Sequence, residues 1–285
     1  MSRTSAISAE AERAAHEAAP WIARLARLGF LAHALLYITV GALATSAALR
    51  LLGTRAPVPS KTVGSRGAMA ELLQAPAGHV LLYVLAVGLA GYGIWRAIAA
   101  IIDPEHHGHD AKGIVHRLGS AGVAIIHFGL AYSAVRIAMG HLGAAHEGTE
   151  ERHWTARALA TPGGAYVLFA IALGLAAYGV YEIYCAARAK LGEGLTLSMS
   201  SRARRWVLGI SRFGIAARAI VFVVTGGLVA AAVHERNPEK APGPGRSLRE
   251  LFELGTIPFL IVAVGLIAFG VYQLLNAKYR QIRVA

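Results

Sequence analysis

The chain reads as an all-α, multi-pass membrane protein: six transmembrane helices in three repeated helical hairpins, pseudo-threefold, with both termini on the cytoplasmic side. Two observations predict this. The first is recurrence. The strings "RLGFLAHALLYITVG" (Arg27 to Gly41), "RLGSAGVAIIHFGLA" (Arg117 to Ala131) and "RFGIAARAIVFVVTG" (Arg212 to Gly226) align without a gap. So do "GLAGYGIWR" (Gly88 to Arg96), "GLAAYGVYE" (Gly174 to Glu182) and "GLIAFGVYQ" (Gly265 to Gln273). Self-similarity at a long period marks a repeat architecture. The second is composition: 55% of the 285 residues are apolar and 15% charged, with a mean hydropathy of +0.50. A soluble domain carries about 25% charged residues, so the apolar excess has no water-facing role.

Crossing about 30 Å of hydrocarbon takes roughly 20 apolar residues at 1.5 Å each. Runs of that kind fall near residues 28–50, 78–102, 116–140, 164–187, 206–232 and 256–277. They divide the chain into a tail (1–24), a first repeat (25–103), a His-rich linker (104–115), a second repeat (116–190), a basic linker (191–205) and a third repeat (206–285). The tail holds Arg3, Glu10, Glu12, Arg13 and Glu17 and no apolar core of the signal-peptide kind, so the first span is expected to be an uncleaved anchor. Its composition suits a short polar helix or a disordered segment.

Between the two spans of each unit lie "GAMAELLQAP", "WTARALATPG" and "SLRELFELGTIP". These predict short amphipathic helices in the outer interface, ended by Pro76, Pro162 and Pro258. Ser247 followed by Glu250 fits a capping box.

The net charge of +12 does not call for nucleic acid, because the basic residues stand at span ends. Lys and Arg number sixteen on the terminal side and eleven on the other, with Arg218 inside a span. That bias places the terminal side in the cytoplasm. Anionic lipid headgroups account for the basic balance. Cys185 is the single cysteine, so no intramolecular disulfide can form.

Glycines at Gly88, Gly91, Gly93, Gly174, Gly179, Gly265 and Gly270 predict close helix contacts. Tyr92, Trp95, Tyr178, Tyr181 and Tyr272 predict an aromatic belt toward the cytoplasmic ends. The basic start of each unit, the "GLxxYGhYx" ending and the six-span length resemble the bacterial integral membrane family DUF1206, which is built from three tandem copies of a two-helix unit. The resemblance covers about residues 24–280. It implies a multi-pass protein of the bacterial inner membrane and supplies no catalytic residue, because the family's function is unknown.

Ionisable groups within lipid are costly and mark candidate sites. His33, Arg96, His127, Glu182 and Arg218 all fall in the cytoplasmic half, and the outer half holds almost none before Arg136. They predict a polar vestibule open to the cytoplasm, in which Glu182 pairs with Arg96 or Arg218. Snorkelling of these side chains to the headgroups is the alternative. Aligned, His33 and His127 stand four residues apart, about 6 Å in depth, a poor arrangement for a bis-histidine haem lying in one plane. His106, His107 and His109 in "DPEHHGHD" are weak metal candidates, because no cysteine pair accompanies them. No cofactor is expected.

No phosphate loop, zinc-protease pair or nucleophile–base pair appears, so the chain is not expected to be an enzyme. A binding or assembly protein heads the readings, with a membrane protein partner or a second copy as its associate. A transporter or channel for a small solute, ion or lipid, using the centre of the three repeats, is the alternative.

Overall fold

The computed structural model describes residues 3–53, 64–102, 111–141, 149–188, 201–241 and 244–279. Nine α-helices and one 3-10 turn (Pro238–Lys240) form there, with no strand among the described residues. The helices are α1 (Arg3–Gly53), α2 (Ser65–Gln74), α3 (Gly78–Ile102), α4 (Ala111–Ala138), α5 (Thr149–Ala160), α6 (Gly164–Arg188), α7 (Ser201–His234), α8 (Pro244–Glu253) and α9 (Thr256–Tyr279). Six are long and apolar enough to cross a membrane, over Ala26–Arg50, Gly78–Ile101, Arg117–Ala138, Gly164–Arg188, Arg204–His234 and Thr256–Tyr279. The backbone runs without a break from Arg3 into the first span, so the polar N-terminal stretch is the start of α1.

The closest packing lies between repeats. The second long helix of each unit packs along the first long helix of the next: α3 on α4, α6 on α7, and α9 back on α1. These three seams are equivalent residue by residue. A methyl group built on Gly93 would come within 3.1 Å of the Phe128 ring, and one on Gly179 within 2.7 Å of the Ala219 carbonyl oxygen. One on Gly270 would lie 2.6 Å from Ile38. Phe128, Val223 and Ile38 share one position of the repeat, and Val223 also lines the Gly179 contact. Small residues let the backbones approach where lipid supplies no hydrophobic drive.

Within the hairpins the symmetry breaks. In the first, a Cβ on Gly88 would lie 2.6 Å from Ala32 and one on Gly29 the same distance from Tyr92. In the third, a Cβ on Gly265 would lie 2.2 Å from Ala217 and one on Gly214 would meet the Phe269 backbone at 2.3 Å. The equivalent positions of the second hairpin, Gly119, Gly122 and Gly174, meet nothing within 4 Å. Accordingly α1 packs on α3 and α7 on α9, whereas α4 and α6 do not pack along their lengths. The order around the bundle is therefore α4–α3–α1–α9–α7–α6, a ring left open at the second repeat. The expected close contact at Gly174 is absent for that reason.

The side away from the termini is capped. Met69 of α2 and Leu248 of α8 are fully buried in the main apolar cluster, with Ala68 and Leu251 beside them. The short helices α2 and α8 thus cover the ends of the spans. The capping-box expectation fails. Ser247 lies inside α8, with its hydroxyl 2.8 Å from Thr225 Oγ1 on α7, and Glu250 faces Arg246. Pro258 stands in the first turn of α9, where its missing N–H costs nothing. Arg66 ties α2 to α4 and α5, through Ser133 at 3.3 Å and Glu151 at 3.1 Å. Met69→Ala should destabilise the protein by about 2–5 kcal/mol through lost contacts and the cavity left behind. Thermal unfolding in detergent measures this.

Candidate functional site

The seams decide which polar residues meet. Arg96, Glu182 and Gln273 share one position on the second long helices, and His33, Val123 and Arg218 share one on the first. Pairing each second helix with the next repeat's first helix sets Gln273 against His33 and Glu182 against Arg218. Arg96 is set against the apolar Val123. The observed contacts follow this register.

The first cluster joins α1, α3, α4 and α9. Asn276 Nδ2 donates to Gln273 Oε1 at 2.9 Å, and Gln273 Nε2 donates to His33 Nδ1 at 3.0 Å. His33 Nε2 faces His127 Nε2 in direct contact, and His127 Nδ1 donates to the Val123 carbonyl at 2.6 Å. A carbonyl can only accept, which fixes the proton of neutral His127 on Nδ1 and leaves Nε2 as an acceptor. His33 then donates through Nε2, and the whole line of bonds runs in one direction from Asn276 to Val123. All four side chains are buried.

The one-turn offset expected between the two histidines does not separate them, for their ring centroids lie 4.6 Å apart. Alignment sets the register along each helix but neither helix tilt nor the lean of a side chain. Both imidazoles lean onto Tyr92, at 4.6 and 4.8 Å. Tyr92 is therefore buried at the centre of this cluster and does not belong to the expected aromatic belt. Arg96, on the same helix, donates from Nε to the Tyr92 hydroxyl at 3.0 Å and lies over its ring.

The second cluster joins α6, α7, α9 and α1. Arg218 Nη2 forms an ion pair with Glu182 Oε1, which also accepts from the Tyr178 hydroxyl at 2.8 Å. The guanidinium lies over Phe269 at 4.4 Å and Phe222 at 5.1 Å. It also acts electrostatically on Tyr37. Tyr37 bridges the clusters, edge-on to His33 at 6.1 Å and to Phe269 at 4.7 Å. Arg96 and Arg218 are near enough to act electrostatically on both histidines.

Two atoms of this ion pair have no hydrogen-bond partner although both are buried: Glu182 Oε2 and Arg218 Nε. One is an acceptor and the other a donor. Native structures leave few such groups, and each calls for an explanation such as an ion, a water or a ligand.

The structure thus brings His33, His127, Arg96, Glu182 and Arg218 into two adjoining clusters at the terminal side. His106, His107 and His109 lie outside the described residues. Among the described residues no group of three or more His, Cys, Asp or Glu could hold a metal ion. Sequence reasoning passed over Tyr37, Tyr92, Tyr178, Gln273 and Asn276 as site residues. Gln273 and Asn276, three apart in the helix and on one face, carried a signal, since a paired polar face within an apolar span implies a buried partner. Toward the other side, Thr39, Ser46 and Thr225 hydroxyls return to carbonyls of their own helices, at 2.9, 2.8 and 2.7 Å. Gln273→Leu should strand the Asn276 amide and His33 Nδ1, costing about 1–3 kcal/mol. A lowered thermal midpoint in detergent, at unchanged expression, checks this.

The three-repeat, six-span architecture defines a class of multi-pass helical membrane proteins. The chain belongs to the DUF1206 family, described as Domain of Unknown Function, whose model matches residues 28–103, 118–189 and 213–280. It is also similar to the uncharacterized protein YxxB of Bacillus subtilis (strain 168), with 30% identity over 267 residues, 93% of each chain. No solved structure matches it.

Proposed function

We propose that the protein is a non-enzymatic binding protein whose ligand is held at the Glu182–Arg218 pair, in a polar vestibule that faces the cytoplasm. The observation that carries this is the incomplete pairing of those two side chains. Glu182 Oε2 and Arg218 Nε are a buried acceptor and a buried donor that the protein leaves unsatisfied. A ligand polar group offering a donor and an acceptor would satisfy both. Such groups are worth about 1–3 kcal/mol each when left unpaired, enough to favour occupancy. The excess of basic residues on the terminal side supports the cytoplasmic orientation and a bacterial inner-membrane location. A reporter fused after Ala285 tests the orientation.

Passage of an ion or small solute through the centre fits less well. A permeation path needs polar groups through the full depth, and here the far side is closed by Met69, Leu248 and Phe259 in apolar packing. The test is native mass spectrometry of protein extracted gently from its own membrane. Wild type is expected to retain a bound mass, and Glu182→Gln, which keeps the size of the side chain but removes its charge, is expected to lose it. Equal masses for both would defeat the proposal.

A further inference from the structure

The departure of the second repeat from the other two has a functional consequence. In the first hairpin the Gly88 position seats on Ala32, and in the third the Gly265 position seats on Ala217. The corresponding pair in the second is Gly174 and Gly122, both glycine and both facing open space. At the next contact, Gly29 and Gly214 receive Tyr92 and Phe269, whereas Gly119 receives nothing and its counterpart Tyr178 packs edge-on against Phe222 of α7 instead. Tyr92 is 7% exposed and Tyr178 46%. The second hairpin therefore keeps every small residue that closes the other two, and is nevertheless open. Gly122 leaves even more room for closure than Ala32 or Ala217.

The opening is lined for lipid. On α4, Leu118 and Ile126 are exposed on the side of Gly119 and Gly122, and on α6, Val167 and Ile171 are exposed on the face of Gly174 and Tyr178. A gap of that kind within a bilayer fills with acyl chains, since water finds no polar partner there. Behind it stands Tyr178, whose hydroxyl donates to Glu182, and then the ion pair with its unpartnered donor and acceptor.

We propose that the second hairpin is a lateral portal. Helix α6 moves between the splayed position and a closed one, with Gly174 seated on Gly122 and Tyr178 on Gly119. Through the open portal a membrane-borne amphiphile reaches Glu182 and Arg218, its head group donating to Glu182 Oε2 and accepting from Arg218 Nε. The portal's motion stands on the repeat comparison alone. The amphiphile as ligand class rests on the reading of the ion pair as the binding site.

Three exposed label pairs occupy identical positions in the three repeats: Leu49 with Val80, Met139 with Tyr166, and His234 with Ile257. In a Cys185→Ser background, each pair is changed to cysteine, spin-labelled and measured by pulsed EPR in vesicles of phosphatidylethanolamine and phosphatidylglycerol. The first and third hairpins should each give one short distance. The second should give two populations, the shorter matching its siblings. A single population at Met139/Tyr166, long or short, would overturn the motion. Separately, benzoylphenylalanine at position 174 should give a lipid adduct on irradiation in the same vesicles, and the lack of one would overturn access from the bilayer. Two populations and a lipid adduct, together with no retained mass in native mass spectrometry, would leave the portal standing and remove only the ligand site.

Discussion

Glu182→Ala is expected to destabilise the protein by about 3–5 kcal/mol, because it leaves Arg218 as an uncompensated charge inside the membrane. The Arg218 side chain is 18% exposed and the Glu182 side chain 13%, so solvent screening relieves little of that cost. Aromatic faces of Phe269 and Phe222 beside Arg218 offset a part of it. Replacing both partners, as in Glu182→Leu with Arg218→Met, should restore most of the lost stability, since an apolar pair of similar volume carries no desolvation penalty. Thermal midpoints of the single and double variants in detergent, compared with wild type, give the coupling directly. If the double variant is no more stable than Glu182→Ala, the pair is held by other contacts and the ion pair is incidental.

The second large effect separates the three hairpins. Gly265→Leu should disrupt assembly, because a Cβ there already collides with Ala217 at 2.2 Å and the rest of the side chain must enter the α7–α9 contact. Overpacking of this kind costs about 1–3 kcal/mol or more. Gly88→Leu meets the same obstacle against Ala32 and the Leu28 carbonyl. Gly174→Leu occupies the equivalent position and meets nothing within 4 Å, so the folded protein should melt within about 0.5 kcal/mol of wild type. A melting series over the three variants checks the ranking. A three-way equality would contradict the open second hairpin.

Much of the fold was legible because repetition and apolar run length are carried directly in the residues. The six spans fall within a few residues of the expected ones, and the helical nature of the outer segments followed from periodicity in the first and third and from the second's likeness to them. What could not be read was which helix packs on which. The alignment shows Gly88, Gly174 and Gly265 as equals, and only three-dimensional packing separates Gly174 from the others. For the same reason Glu182 could be assigned a cationic partner in the membrane but not a choice between Arg96 and Arg218. The cyclic seam, with each second helix on the next repeat's first, settles that choice in favour of Arg218. It also explains why Gln273 meets His33. His33 and His127 looked too far apart in depth because register along a helix says nothing of tilt. Tyr92 looked like an interfacial aromatic because its position near a span end is shared by buried and headgroup-facing residues alike. Ser247 looked like a cap because capping boxes are local patterns, and a buried hydroxyl partner on α7 outweighed the local preference.

On the function proposed, the terminal-side polar core holds a ligand between Glu182 Oε2 and Arg218 Nε. The most direct measurement is a cryo-EM map of the protein in nanodiscs made from its native lipids, at a resolution that separates side chains from bound molecules. Non-protein density bridging those two atoms, continuous with the opening between α4 and α6, is the expected result. Protein side chains pairing both atoms, with no density between them, would contradict it.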